Sequence, residues 1–523
     1  MMKYQIKEKI QKAIQTAYAK VGDIEFSVEP ADPEFGDYST NVAMILSKRV
    51  GENPIEVANN IIDGIKADEM FEAVEFAKPG FINFKIALPY LQNKISDVIK
   101  AGESYGNSDL GKDLKINVEF ISANPTGPLT IGNARGGVIG DTLSKIFTTI
   151  GWKVTREYYF NDAGGQIDVL GHSILKDELA EYKGDYIEKL AEQIKTSDYK
   201  EAGKQAAQII ISWIKATTEE MGIKFDVWTA EGKDLREKGK LEETLAWMKE
   251  KGLTYEKDGA LWFSSTKFGD DKDRVLIKST GEPTYFGVDA AYHRNKLLER
   301  KFDKAIDVWG ADHHGDVSRI KGFVKALGYE DKFEIILHQF VRIVVDGKEV
   351  RMSKRTGNFI AVDDVLEEVG VDAYRFYMLA YDLNSHLNFD LNLAKEQSQK
   401  NPVFYVQYAY ARIASILAKS PNHSADSNLS ITTLITDPAE LSLIKELIKL
   451  PDIVIETAGD YQVQRLPFYA QELANKFHNF YENCRVISED KNLTLARIEL
   501  IKATQIVLKK TLDLMGISAP DKM

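Results

Sequence analysis

One cysteine in 523 residues, Cys484, leaves no partner for an intrachain disulfide and excludes a thiolate zinc cluster. Its apolar, helical surroundings are those of an inert buried thiol, so redox chemistry is not expected. Long apolar runs are missing as well. The mixed-charge Met1–Ile10 has no signal-peptide core, and no later stretch approaches a membrane span, which points to a soluble cytoplasmic protein. The chain also lacks a basic surplus. A formal net charge of −12 argues against a nonspecific nucleic-acid binder, though not against an enzyme that gathers Lys and Arg on one face. The length exceeds one ordinary core, so roughly two to four domains are expected.

The most informative stretch begins at Leu114. Ile116, Val118 and Phe120 alternate with polar positions as a strand would, and Ser122, Asn124, Pro125, Gly127 and Pro128 then break the ladder. After Ile131 the residues turn small (Gly132, Ala134, Gly136, Gly137, Gly140), while Val138, Ile139, Leu143 and Ile146 recur at helical spacing. A strand, a glycine-rich turn and a helix N-terminus aim unpaired N–H groups and a positive dipole end at one point, which suits a phosphate. Close helix–strand packing is the alternative reason for such glycines.

Glu119, Ser122–Pro128 and Gly132–Asp141 together resemble the signature region of arginyl-tRNA synthetases, a class I family. In that family the turn reads His-Ile-Gly-His; here it reads Thr130-Ile131-Gly132-Asn133, so both signature histidines are replaced. The resemblance implies catalytic roles for Thr130, Gly132 and Asn133, the two polar side chains serving as neutral donors toward phosphate oxygens. It implies ATP contacts at Pro128, Leu129 and Ile131.

Residues 1–111 read as a separate α+β domain: a helix over Tyr4–Tyr18, a turn at Phe35–Tyr38, a helix from Val42, and strands around Val74–Phe76 and Phe81–Phe84. This resembles the family's N-terminal domain, which there contacts the tRNA elbow, and the matching positions fall on Phe81 and Asn83. An aromatic ring and an amide are what an unstacked base needs.

Residues 112–362 read as the catalytic α/β domain, with mostly helical insertions over about 167–257 whose charge runs are solvated faces. Strands are expected near Ala260 and at Val275–Ile277, after which Tyr285 and Asp289 share one face of a helix start. The resemblance places the arginine guanidinium on that Tyr and Asp together with Glu119 and Asn124, and adds Ser122 to the arginine pocket. A carboxylate answering a planar cationic fork is physically sensible there. The apolar strand Ala305–Trp309 leads into Asp312, His313 and His314, where open α/β sheets bind ligands. His313 and Asp312 are expected on ATP, Asp312 accepting from ribose hydroxyls, and no metal site is expected because a third ligand is lacking. The hairpin-like segment from Phe340 leads into Met352-Ser353-Lys354, which resembles the family's Lys-Met-Ser-Lys loop with Arg351 at its first position. The resemblance makes Met352 and Ser353 ATP contacts and Lys354 a catalytic cation.

From Asp363 onward the pattern is helical to the end, as for a bundle. It resembles the family's anticodon-binding domain, with Tyr408, Arg412 and Met523 at positions that meet the anticodon. The expectation for the whole is a multidomain α/β protein: a Rossmann-type parallel-sheet catalytic domain between an N-terminal α+β domain and a C-terminal all-α bundle. Its implied activity is ATP-dependent ligation of L-arginine to its tRNA through arginyl-adenylate, by a monomer, with magnesium carried on ATP. A noncatalytic tRNA-binding paralogue and a class I ligase for another amino acid are the alternatives. The first is disfavoured because Lys354, Asp312, Tyr285, Asp289 and Asn124 are kept together, the second by the acidic pocket set.

Overall fold

The computed structural model describes residues 1–350, 360–420 and 431–523. The N-terminal region folds as an antiparallel sheet of β1 (Val28–Pro30), β2 (Tyr38–Thr40), β3 (Phe71–Ala77) and β4 (Phe81–Ile86), in the order β1-β2-β4-β3. The expected strand pair is the β3–β4 hairpin; β1 and β2 are short additions on its far edge. Helix Met2–Ala17 buries Ile6, Ile10 and Ile14 at helical spacing. Its first turn reaches the C-terminal helices: the Lys3 backbone N–H donates to Asp452 at 3.1 Å, and the Lys3 ammonium lies 2.7 Å from Glu456.

The central sheet is parallel, in the order β12-β11-β5-β6-β7, from β5 (Lys115–Phe120), β6 (Lys153–Phe160), β7 (Val227–Ala230), β11 (Lys304–Gly310) and β12 (Phe333–His338). Helices cover it, as crossover connections require. The alternation read in β5 therefore does not separate core from water. Ile116, Val118 and Phe120 are buried, and so are Asn117 and Glu119 on the opposite side. Helix Ile131–Thr149 packs across β5 so closely that a Cβ on Gly140 would stand 2.2 Å from the Phe120 ring, and one on Gly137 2.7 Å from Ile121. These two glycines serve packing. Gly132 does not, because a Cβ there meets nothing nearer than Thr130 at 3.8 Å.

Two expectations need correction. The stretch 167–257 is not only helical insertion: helices Asp185–Gln193 and Tyr199–Glu220 are present, but Val227–Ala230 is the edge strand β7 of the central sheet. The stretch then ends in β8 (Thr254–Lys257), which joins β9 (Ala260–Phe263) and β10 (Arg274–Ile277) in a small antiparallel sheet. The region after Asp363 is not wholly helical either. Leu387–Asp390 forms β15, which runs parallel to β13 (Val341–Val345), itself hairpinned to β14 (Lys348–Val350). Leu387 and Phe389 are buried while Asn388 is exposed, so period-2 burial decides the strand.

Beyond it lie helices Pro402–Lys419, Pro438–Leu447, Leu450–Asp460, Arg465–Asn483 and Lys491–Met515. Arg375, fully buried, ties this bundle to the central domain. It pairs with Asp141 at 2.5 Å and donates to the carbonyls of Met515 (2.7 Å) and Met221 (2.9 Å). Cys484 is buried, and burial pushes its thiol up to about 11.

Candidate active site

At the carboxyl end of β5 the chain turns abruptly. Ile121 and Ser122 take positive φ of 67° and 44°, a conformation that strains a β-branched residue most. Neighbouring groups hold the turn. The Tyr158 hydroxyl donates to the Ala123 carbonyl (2.8 Å) and accepts from its N–H (3.1 Å), Ser122 Oγ accepts from Tyr159 N–H (3.1 Å), and Tyr186 donates to Thr126 O (3.0 Å). Asn124 is fixed at both ends, accepting from Asn161 N–H (3.2 Å) and donating to Gln166 (2.8 Å). The loop thus delivers preset side chains to the mouth of the sheet.

Helix Ile131–Thr149 opens there, and Thr130 and Asn133 act as one unit. The Thr130 hydroxyl donates to Asn133 Oδ1 at 2.8 Å, and the Thr130 N–H approaches the same oxygen at 3.4 Å. This capping arrangement uses up the threonine proton on the Asn133 oxygen and leaves the Asn133 amide N–H groups as the remaining donors. Ala361, just beyond the basic loop, bridges Thr130 antiparallel, and Val362 N–H donates to Leu129 O at 3.0 Å.

A cavity of about 510 Å³ lies above the strand ends. Of the residues singled out from sequence, Glu119, Ser122, Asn124, Thr130, Gly132, Asn133, Tyr285, Asp289, Asp312 and His313 all line it. Pro128, Leu129 and Ile131 lie outside the lining, the last two buried in the core, so the structure does not bring these expected ATP contacts into the cavity. His314 is exposed at the start of helix His314–Leu327 and is not part of the lining. Met352, Ser353, Lys354 and the flanking Arg351 lie outside the described residues.

One end of the cavity is anionic. Asp289 is 31% exposed, and that exposure is to the cavity; enclosure pushes its carboxyl up to about 7, with Glu231 and Asp316 adding to the rise against Arg319 at 3.8 Å. Glu231 is buried, accepting from Tyr159 (2.8 Å) and from Arg236 Nε (3.0 Å). Tyr285, 56% exposed, stands at the rim as a free aromatic face. Tyr159 and Tyr292 stack at 4.5 Å along the wall, and the buried Tyr292 hydroxyl has no hydrogen-bond partner among the described residues. An anionic slot walled by aromatics is the complement of a flat cation.

The other end, by Thr130, Gly132, Asn133, Gly310, Asp312 and His313, is open and polar. Helix N–H groups and the Asn133 amide can receive phosphate there, and Asp312, largely exposed, can accept from sugar hydroxyls. His338 also lines the cavity; burial and then the nearby Arg135 push it down to about 4, so it is a neutral imidazole. Among the described residues no group of His, Cys, Asp and Glu is arranged to hold a metal ion.

Sequence reasoning missed Tyr159, Glu231, Tyr292, Lys296, Asp307 and Arg319. For two of them a signal existed. Extending the Tyr285–Asp289 spacing along the same face reaches Tyr292 and Lys296.

The residues expected from sequence to meet nucleic acid lie elsewhere. Phe81, 38% exposed, and Asn83 line a shallow hollow with Phe35, and Ser39 donates to Asn83 Oδ1 at 2.7 Å. On helix Pro402–Lys419 the Arg412 guanidinium lies over the rings of Tyr408 (4.6 Å) and Tyr481 (4.8 Å), and Met523 is exposed.

Three family models match in sequence order: "Arginyl tRNA synthetase N terminal domain" over residues 4–86, "tRNA synthetases class I (R), catalytic domain" over 94–200 and 177–378, and "DALR anticodon binding domain" over 406–523. The arginine–tRNA ligase of Carboxydothermus hydrogenoformans is 41% identical, covering 98% of this chain and 97% of its own. That of Acetivibrio thermocellus is also 41% identical, covering 100% and 99%. The solved arginyl-tRNA synthetase of Thermus thermophilus superimposes with a TM-score of 0.83 over the full length of both chains at 21% identity, a likeness of fold. With an anionic, aromatic-walled slot beside a strained strand-to-helix turn, and matches along nearly its whole length, this chain belongs to the arginine–tRNA ligase family of class I aminoacyl-tRNA synthetases.

Proposed function

We propose that the chain joins L-arginine to its tRNA at the expense of ATP, and that the cavity at the carboxyl end of the central sheet is where both steps occur. The observation that carries the reading is the juxtaposition, in one cavity, of an acidic aromatic slot at Asp289 and Tyr285 with an open helix N-terminus at Gly132. Arginine enters with its guanidinium toward Asp289, Tyr285 and the Glu119 side of the slot, its backbone near Ser122 and Asn124. ATP lies across the turn, with phosphates at the helix N-terminus and ribose at Asp312.

The arginine carboxylate oxygen then attacks the α-phosphorus in line, the bond to the bridging oxygen breaks, and pyrophosphate leaves, giving arginyl-adenylate. A ribose hydroxyl of the terminal adenosine of tRNA next attacks the arginyl carbonyl; its proton is lost and AMP departs. Neither step needs a covalent enzyme intermediate, so positioning and charge stabilisation carry the rate. Asn133, held by Thr130, donates toward phosphate oxygens, and Lys354 neutralises charge as pyrophosphate forms. Magnesium comes bound to the nucleotide, since it retains waters and prefers phosphate oxygens to an all-protein cage.

In this reading residues 1–111 contact the tRNA elbow through Phe81 and Asn83, residues 112–362 carry the chemistry, and residues 363–523 meet the anticodon through Tyr408, Arg412 and Met523. A single chain suffices, working in the cytoplasm. No helix among the described residues is long and apolar enough to cross a membrane. The test is arginine-dependent ATP–pyrophosphate exchange and charging of tRNA transcripts with each amino acid in turn. Charging by arginine alone is expected; no arginine-dependent exchange with matching tRNA present would refute the reading.

A further inference from the structure

Beneath the slot, three carboxylates stand side by side. Parallel pairing places Glu119 of β5 in register with Glu157 of β6 on one side and Asp307 of β11 on the other. In-register residues of neighbouring strands share a face at about 4.8 Å spacing, where like charges oppose each other. All three are buried. Such a row persists only with cations fitted into it.

Two basic side chains from one short segment fill that role. Arg300 lies 2.7 Å from Glu157. Lys296, with no exposed surface, touches Glu119 and sits 2.7 Å from Asp307, under the ring of Tyr292 at 4.2 Å. His293 Nε2 meets the second Asp307 oxygen at 2.9 Å, and its Nδ1 meets the Asp289 carbonyl at 2.7 Å. Asn117 and Thr229 donate to Glu157 at 2.6 Å each. The row has three carboxylates against two permanent cations, and Glu119, its central member, lines the cavity together with Asp307.

We propose that Lys296 is a positioning residue for arginine recognition: by bridging Glu119 and Asp307 it holds Glu119 oriented and anionic at the floor of the slot. The inference rests on the reading of the cavity as the arginine site and goes beyond it by assigning work to a residue that touches no substrate. A lone buried carboxylate between two others would take up a proton, and a protonated Glu119 no longer attracts a guanidinium. Lys296 opposes this locally: burial leaves Glu119 raised above its ordinary value, and the Lys296 ammonium is the main influence against that rise. At Asp307 burial also acts upward, but Lys296 and His293 outweigh it and hold the group at about 2. The groups facing Lys296 are thus Glu119, Glu157 and Asp307 from the sheet, and His293 and Tyr292 from helix Tyr285–Arg294, with Arg300 beside them. Asp289 lies one turn earlier on that helix, and His293 is the main charge opposing the rise of its carboxyl.

The experiment is Lys296→Met in the full chain, with KM for arginine and for ATP measured by tRNA-dependent ATP–pyrophosphate exchange from about pH 6 to 9. The expected result is an arginine KM raised about tenfold for each pH unit over which Glu119 is protonated, with the gap to wild type narrowing as pH rises and ATP KM little changed. An arginine KM with the wild-type pH profile would overturn the proposal. So would equal loss for arginine and ATP at every pH, which marks a structural role only. Should the methionine variant not fold, Lys296→Gln keeps a hydrogen-bonding side chain between Glu119 and Asp307 without the charge. It should move arginine KM in the same pH-dependent direction, and an unchanged profile would again overturn the proposal. A wild-type protein without arginine-dependent exchange would remove the functional reading instead.

Discussion

With arginine seated on Asp289 as proposed, its binding should be a proton-linked event. The Asp289 carboxyl titrates at about 7 in the free protein because enclosure disfavours the charge. The guanidinium stays charged at any working pH, so arginine binds the ionised form and displaces the proton. Above about pH 8 affinity should be constant; below 7 it should fall toward tenfold per pH unit, about tenfold between the plateau and pH 6. The stability sign is opposite. A carboxyl whose folded pKa lies above the unfolded value near 3.8 contributes stability below that value and loses it as pH rises through 7. Arginine restores it by countering the charge, so saturating arginine should raise Tm more at pH 8 than at pH 6. Calorimetric titration of L-arginine in buffers of different ionisation enthalpy reads both affinity and proton release. Asp289→Asn should flatten the profile and weaken binding by about 2–5 kcal/mol, as for one half of a desolvated charge pair. Wild-type affinity constant from pH 6 to 8, or an Asp289→Asn variant that keeps the slope, would refute the reasoning.

Other expectations concern the turn, the loop and the RNA surfaces. Asn133→Ala should cost about 2–4 kcal/mol in kcat, and Thr130→Ala less. Because Thr130 acts through Asn133, the double variant should be no worse than Asn133→Ala alone; additive losses in pre-steady-state rates would show two independent donors. Lys354→Ala should slow adenylate formation by about 10²–10³ with arginine affinity unchanged, and an unaltered single-turnover rate would pass the role to Arg351 or Arg355. Phe81→Ala and Tyr408→Ala should each raise the tRNA KM by about 1–3 kcal/mol without slowing adenylate formation; lowered Tm with unchanged tRNA affinity would mark both as packing residues.

The parts of the fold that sequence made legible are those whose pattern is local and long. The Ile116–Phe120 alternation, the small-residue helix behind it and the amphipathic C-terminal helices each repeat over several turns or strand periods. β7 and β15 did not declare themselves, because each has four residues and takes its character from a distant parallel partner: β15 from β13 and β7 from β6. The site divides similarly. Tyr285 and Asp289 stood out because spacing on one helix brings them together. Lys296 reads in sequence as one cation in a charged run, Arg294 to Lys301, whose ordinary place is solvent. Only the register of β5, β6 and β11 reveals three buried carboxylates that require it. The Thr130–Asn133 bond is a middle case: a threonine followed three residues later by an amide has the spacing of a helix cap, yet its functional effect depends on what the cavity presents to the remaining N–H.

The tie between Lys3 and the pair Asp452 and Glu456 joins residues about 450 positions apart in the chain. At ordinary elongation speeds of about 5–20 residues per second, helix Met2–Ala17 is made roughly 20 to 90 seconds before its partner helix exists. Through that interval the N-terminal sheet must stand on its own core of Ile82, Phe84 and the Ile6–Ile14 face. Docking onto Leu450–Asp460 is therefore a late closing step in the birth of each molecule, and synthesis itself sets when it can begin.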